Sequence, residues 1–366
     1  MSVPKESYYT RISSASHLTN VASRKRPYDP MIIFKGAGRQ PLNFLQNIPY
    51  ALFFWGAGPG KSSMRECLQC SATFSSDNGW QCPSCSARPL VRNTIPFFAP
   101  ELAESNDGFP DEFERLYRLE ANNFWFRARN KLIVEAIQRF FQVPKKMLEI
   151  GCGTGFVLRG IEEKFPSVHL VGSELHSNGL HWAKRRLPNV DLIQMDARKV
   201  PFVEEFDLVG AFDVLEHIED DTLVLKQMRK SVLSRSGGII LTVPQHQFLW
   251  SHFDTYACHF RRYDAKELRR KVEAAGFEVV FMTSFVSLLL PMMLFTRLLQ
   301  GKKAADFDPE APFRIPGWMN KLFELVMEIE IAFIRAGLSF AAGGSLLLVA
   351  RAAQPAPTEP RLLQPV

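Results

Sequence analysis

Between Met147 and Val243 the chain alternates short apolar runs with segments of helical period. The runs fall near 147–150, 168–173, 190–195, 206–212 and 238–243. Uninterrupted apolar runs of this length are the pattern of strands buried on both faces. Their alternation with helices predicts a doubly wound α/β fold on a parallel sheet. Gly276 to Phe285 predicts a sixth strand and Gly344 to Arg351 a further one, so residues 286–343 are an α-helical insertion before the last strand. Val286 to Gln300 is almost uncharged but broken by Pro291. It is too short to span a bilayer, which takes ~20 apolar residues. Trp318 to Ala336 is amphipathic, with Lys321, Glu324, Glu328 and Arg335 on one face and Trp318, Leu322, Val326, Ile329 and Phe333 largely opposite. Such a pair of helices packs on the core, closes a pocket as a lid, or dips into a membrane interface.

Upstream, Asp111 to Phe141 has helical period and an aromatic knot, Phe124-Trp125-Phe126, followed by Arg127-x-Arg129. Residues 91–110 are proline-bearing (Pro96, Pro100, Pro110) and read as a linker, and 353–366 as a Pro-rich tail. Residues 1–63 show no sustained period and read as a leader. No apolar secretory core lies in the first 30 residues, which makes a cytoplasmic setting the expectation.

Charge sharpens this division. The net charge of +6 lies entirely in the leader, which has eight Lys/Arg against two acids; the remaining residues carry 36 of each. A neutral main part is a poor polyanion binder by bulk electrostatics, which argues against a nucleic-acid partner.

The densest signal is Met147 to Gly155, where an apolar run breaks into Gly151, Gly153 and Gly155 and then resumes as a helix. A strand turning through small residues into a helix lets a ligand approach the backbone at the helix N-terminus. Glu174 follows Gly155 by 19 positions and ends the second apolar run, a place from which a carboxylate accepts hydrogen bonds from a ribose diol. The spacing is G-x-G-x-G, with Phe156 where the dinucleotide fingerprint has its third glycine, and Glu149 stands two places before the first glycine.

Here the sequence resembles the class I S-adenosylmethionine (SAM)-dependent methyltransferases, whose first motif reads much like Leu148-Glu149-Ile150-Gly151-Cys152-Gly153-Thr154-Gly155. The resemblance continues through Glu174, Asp196, Asp213 and Val243-Pro244, covering roughly residues 120–285 of a domain bounded at 111–352. It implies a seven-stranded sheet of order 3-2-1-4-5-7-6. It also implies that SAM lies against Glu149, Gly151, Cys152, Gly153, Thr154, Gly155, Glu174 and Leu175. Asp196 and Ala197 would then stand by the adenine, and Asp213 by the methyl donor. Helices before the first strand often cap the cofactor in this class, which would set Phe124, Trp125 and Arg127 at the site mouth; packing of the aromatics on the sheet is the alternative.

On the acceptor side, Asp213, His217 and His259 are the catalytic candidates. An alcohol acceptor must lose a proton, and a histidine near neutral pKa suits that task. The alternative is that His217 only shapes the pocket. Asp213, Glu216, His217 and His246 also resemble a metal-binding set of some methyltransferases, although many relatives carry Leu-Glu-His without metal. Arg261 and Arg262 either favour an anionic group on the acceptor or pair with Asp254 and Asp264. No Asn-Pro-Pro-Tyr follows the fourth strand, which argues against methylation of base or glutamine amino groups.

Cys67-x2-Cys70 and Cys82-x2-Cys85 form two knuckles able to place four thiolates around one structural Zn²⁺, so residues 64–90 read as a zinc ribbon. Nothing in the sequence says what the ribbon touches. The expectation is a SAM-dependent O-methyltransferase acting on a small or lipid-like acceptor, with peripheral membrane contact through 286–343 as an option. A ribosomal-RNA methyltransferase and a non-catalytic SAM-binding regulator are the alternatives.

Overall fold

The computed structural model describes residues 63–105, 112–299, 308 and 313–354; nearly all of the expected leader and most of the tail lie outside them. Strands β1 (Met64–Glu66) and β2 (Thr73–Ser75) open the described chain, followed by a hairpin of β3 (Leu90–Arg92) and β4 (Ile95–Phe97). Helices α1 (Phe113–Leu119) and α2 (Phe124–Phe141) lead into β5 (Lys146–Ile150), α3 (Phe156–Lys164), β6 (His169–Glu174), α4 (Ser177–Arg186) and β7 (Asp191–Gln194). Next come β8 (Phe202–Val203), β9 (Leu208–Phe212), α5 (Asp221–Ser231), β10 (Gly238–Pro244), α6 (His252–Tyr256) and α7 (Ala265–Ala274). The chain closes with β11 (Phe277–Phe285), α8 (Leu290–Leu299), α9 (Gly317–Arg335) and β12 (Ser345–Ala352).

Among the described residues the main sheet runs β11-β12-β10-β9-β5-β6-β7-β4-β3. Its first seven strands give the expected 3-2-1-4-5-7-6 order, with β12 inserted antiparallel between β10 and β11. Strand β5 pairs parallel with both β6 and β9, so the loop after it emerges at the centre of the sheet. One apolar layer packs α2, α3 and α4 on one face (Leu132, Ile133, Leu158, Ile161, Leu180), and a second packs α5 and α7 on the other (Val224, Leu225, Leu268, Val272).

The sheet is two strands wider than expected, because the segment read as a linker contributes β3 and β4. Ile95 and Phe97 are buried, and the Phe98 and Ala99 amides donate to Gln194 O and Oε1, both at 2.9 Å. The prolines hid this: Pro96 is tolerable in a short strand near a sheet edge, where few ladder donors are needed.

The zinc-ribbon segment is joined to the domain that follows it. Strand β1 pairs antiparallel with β2 and with β8, which lies in the β7–β9 crossover. Trp80 packs edge-on against Phe98 (4.8 Å) and Phe202 (5.7 Å), and the buried Arg65 guanidinium lies 3.5 Å over the Trp80 ring.

The insertion helix α9 runs along α2. Arg127 pairs with Glu324 (2.6 Å), Lys131 with Glu328, and Glu135 with Arg335. Asn320 Oδ1 accepts from the Phe124 amide at 2.9 Å, satisfying a donor that the first turn of α2 leaves open. Glu330, fully buried, accepts from the Ser287 and Leu288 amides (both 2.8 Å) and ties α9 to the start of the insertion. With its charges thus spent on α2, α9 leaves Trp318, Leu322, Leu325, Ile329 and Phe333 exposed.

Candidate active site

The glycine turn takes the shape its sequence predicts. Gly151 has φ 69°, and a Cβ there would lie 2.6 Å from Val214 Cγ2; Gly155 has φ 76°, and its Cβ would lie 2.8 Å from Leu187 Cδ1. Both positions exclude any larger residue by conformation and by space. Glu174, buried at the end of β6, accepts from Gly153 N (3.0 Å), Leu175 N (2.8 Å) and His176 N (3.1 Å), so its carboxylate braces the loop. Three bonds leave lone-pair capacity for a further donor on a carboxylate.

The predicted cofactor residues divide into those that face this loop and those that do not. Cys152 engages through its backbone, donating to Ser173 O at 2.8 Å, while its thiol is buried and pushed up in pKa by desolvation. The Thr154 hydroxyl is engaged within the chain: it donates to Glu120 Oε2 (2.6 Å), and Arg186 pairs with the same carboxylate (2.8 Å). Glu149 is buried with Oε2 unpartnered, and burial raises its pKa well above the usual carboxylate range. Asp196 accepts from Arg198 N and pairs with the Arg198 guanidinium at 2.9 Å, with buried Ala197 beside it.

Arg129 is a residue that sequence reasoning passed over in favour of Arg127. The structure points Arg127 at α9. Arg129 is buried, lies 4.6 Å from the Trp125 ring, pairs with Asp213 and keeps Nε unpartnered. The signal was available: Arg129, Leu132, Ile133, Ala136 and Ile137 share one helical stripe, and the other four are apolar and buried. A cation on an apolar stripe needs a partner beneath it.

Asp213 has φ 56°, its amide donates to Thr242 O (2.8 Å), and Thr242 Oγ1 donates to its carboxylate (3.2 Å). A single turn of 3-10 helix, Leu215–His217, then presents Glu216 and His217. His259 arrives from the loop after α6, its ring 4.6 Å from that of His217 at 85°. The two segments are stapled together: Phe260 N donates to Glu216 O (2.7 Å), and Arg261 donates to the Ile218 and Glu219 carbonyls. His259 Nδ1 lies 3.0 Å from Asp254 Oδ1, and Arg262 Nε pairs with the same oxygen at 2.7 Å.

These contacts separate the histidines. Burial, with His259 alongside, depresses His217 to about 3, so it is neutral at pH 7 and a weak base. Asp254 is itself held far below the usual range: burial would raise it, but His259 and Arg262 more than offset that. It therefore stands ionised beside His259 and Arg262. His246 does not join the group; its ring stacks on Phe248. Glu216, His217 and His259 offer ligand atoms within 4.8 Å of one another and could hold a divalent ion, in place of the set with Asp213 and His246. Arg262 pairs with Asp254 as the latch reading has it, but Arg261 pairs with Asp221 rather than Asp264, which caps α7 through Lys266 N; both arginines are thus engaged within the chain.

The four clustered cysteines also converge, with Sγ atoms within 4.8 Å of one another, Cys67–Cys85 at 3.6 Å and Cys70–Cys82 at 3.7 Å. A tetrahedron with Zn–S near 2.3 Å has S···S edges of about 3.8 Å, so the donors fit zinc. The knuckles are equivalent: Ser71 N donates to Cys67 O and Ser86 N to Cys82 O, with φ of 59° and 61° at the two serines.

Comparison with known proteins agrees with this geometry. Residues 125–281 match the family described as methyltransferase domain. A demethylmenaquinone methyltransferase of Thermotoga maritima is 28% identical over 132 residues, 36% of this chain and 55% of that protein. A malonyl-[acyl-carrier protein] O-methyltransferase of Legionella pneumophila is 23% identical over 167 residues, 43% of this chain and 56% of that one. The chain thus spans about half the length of the curated relatives it matches. Haemonchus contortus phosphoethanolamine N-methyltransferase 2, solved with SAM, is similar at a TM-score of 0.42 and 18% identity, over 62% of this chain and 53% of that one. Residues 125–281 thus carry a methyltransferase domain, of the class I SAM-dependent type that the glycine turn and strand order resemble. No narrower group follows from these matches.

Proposed function

We propose that the chain transfers a methyl group from SAM to an oxygen of a small, largely apolar acceptor. The observation that carries this is the meeting, beyond the β5, β6 and β9 strand ends, of the braced glycine loop with the half-buried His217–His259 pair. The donor set suits SAM. Unpartnered Glu149 Oε2 can accept from an ammonium, Arg129 Nε is free to donate toward a carboxylate, and Glu174 retains capacity for a ribose hydroxyl. When bound, SAM supplies an electrophilic methyl on a sulfonium.

The chain's own groups do the rest by position and desolvation. His259, oriented by Asp254, takes the acceptor's proton. His217, desolvated and neutral, lines the pocket rather than serving as the base. Asp213, held by Arg129 and Thr242, sets a negative charge beside the donor end. The apolar row on α9 supports an apolar or lipid-linked acceptor. The equal numbers of acidic and basic residues after residue 63 weigh against RNA.

Calorimetry with SAM, then transfer of labelled methyl to a panel of hydroxylated aromatic and isoprenoid acceptors, tests this. SAM binding with transfer lost in His259→Asn and partly retained in His217→Asn is expected. Binding without transfer to any acceptor would favour the regulator, and salt-sensitive retention of RNA would favour the RNA enzyme.

A further inference from the structure

The ribbon and the cofactor end of the sheet share a cavity. Its volume is about 110 Å³, and it is lined by Leu68, Phe98, Ala99, Glu101, Leu102, Asp196 and Lys199. Asp196 follows β7, so the cavity opens beyond the carboxyl end of a parallel strand, where ligands of such sheets bind. Leu68 belongs to the first knuckle, between Cys67 and Cys70. It comes from outside the doubly wound sheet, carried there by pairing of β1 with β8 and by Glu66 N donating to Pro201 O at 2.9 Å. Phe98 is packed from behind by Trp80, which the ribbon also supplies. The ribbon therefore reaches the cavity twice, directly through Leu68 and indirectly through the support of Phe98.

We propose that the ribbon completes the adenine end of the cofactor site, with Leu68 as an apolar wall, so that metal in the four-cysteine cluster and SAM bind cooperatively. This rests on the SAM reading above. Its physical basis is that Leu68 is fixed only while the knuckle is. The loop is held by Ser71 N to Cys67 O (2.8 Å) and Cys67 N to Ala72 O (2.9 Å), and its small core (Cys67, Phe74, Cys82) has little to hold it once the thiolates lose their common ligand. A released knuckle withdraws one wall of the cavity and exposes it to water. Cooperativity between two ligands is reciprocal: whatever factor zinc gives to SAM, SAM gives to zinc.

Two measurements on the full chain test this. In the first, zinc is titrated against a colorimetric chelator with and without saturating SAM. The expected result is a zinc affinity raised several-fold by SAM, and an unchanged affinity would overturn the proposal. In the second, zinc-loaded Leu68→Ala and Leu68→Met are compared with wild type by calorimetry with SAM and with adenosine, zinc content being measured in each. Truncation should weaken both ligands by a similar factor, about tenfold for loss of an apolar wall, while methionine, which conserves volume, should bind like wild type. Equal SAM affinity in wild type and a zinc-loaded Leu68→Ala would overturn the wall and leave the SAM reading standing. Failure of wild type itself to bind SAM would remove the reading instead.

Discussion

Glu174→Gln separates the two tasks that the structure gives this carboxylate. The side chain takes Gly153 N on one oxygen and Leu175 N and His176 N on the other. Glutamine has one oxygen. Either the loop amide or the Leu175–His176 pair must then face an NH₂ group, leaving a buried donor unpaired. Hydrogen bonds to a charged acceptor contribute roughly 1.5–3 kcal/mol each, and stranding a buried donor costs a similar amount, so a loss of about 2–4 kcal/mol is expected. In a domain of this size about 1 kcal/mol moves the melting temperature by roughly 2–4 °C, which puts the drop between about 4 and 16 °C. Differential scanning fluorimetry without SAM reads that drop, and calorimetry reads the accompanying loss of affinity. A variant that melts like wild type without SAM yet binds SAM weakly would refute the bracing argument. Unchanged melting and unchanged binding together would remove Glu174 from the site.

Other outcomes follow from the same geometry. Metal analysis should find about one zinc per chain, lost in Cys67→Ser and in Cys82→Ser, as four converging thiolates require. Arg127→Gln should cost no more than about 1 kcal/mol, because its pair with Glu324 is one-third exposed, whereas Arg129→Gln, which removes the buried cation that pairs with Asp213, should cost several-fold more; equal losses would contradict the assignment. Burial raises Glu330, with two amides only partly offsetting it. Its stabilising contribution is complete below the unfolded value of about 4.3 and is lost as pH rises through the folded value. Glu330→Gln keeps one oxygen for both amides and should therefore lose less stability than wild type between pH 4 and 8; parallel profiles in denaturant titrations would contradict this. Flotation with neutral vesicles should carry the wild type further than Leu322→Asp/Ile329→Asp, and equal flotation would discount the lipid surface.

Much of this was legible because it rests on local pattern. The parallel strands are long enough in apolar residues to be read one by one, and β5, the glycine turn and Glu174 follow from spacing alone. What escaped depended on partners distant in sequence. The β3–β4 hairpin is too short and proline-bearing to signal a strand, and it exists because the Gln194 side chain and backbone receive it. Arg127 and Arg129 differ only in which helical face they occupy, and the buried stripe of α2, rather than the aromatic knot, decides that. His217 as a base was a reading of residue type, and the desolvation that lowers its pKa favours the alternative, in which it shapes the pocket. On α9 the charged stripe and one apolar row were legible, but a further face, Phe323, Met327, Ile331 and Ile334, is the one buried, and the α2 charges that receive Glu324, Glu328 and Arg335 lie about 200 residues earlier.

That second, uncovered apolar row on α9 has a practical consequence. Five large apolar side chains in a row have water as their alternative to a partner, so the purified chain will seek cover from detergent, lipid or another copy of itself. Size measured in dilute buffer and size measured with a mild surfactant should therefore differ. Leu325→Asp, out on that row, should shrink the difference between the two sizes.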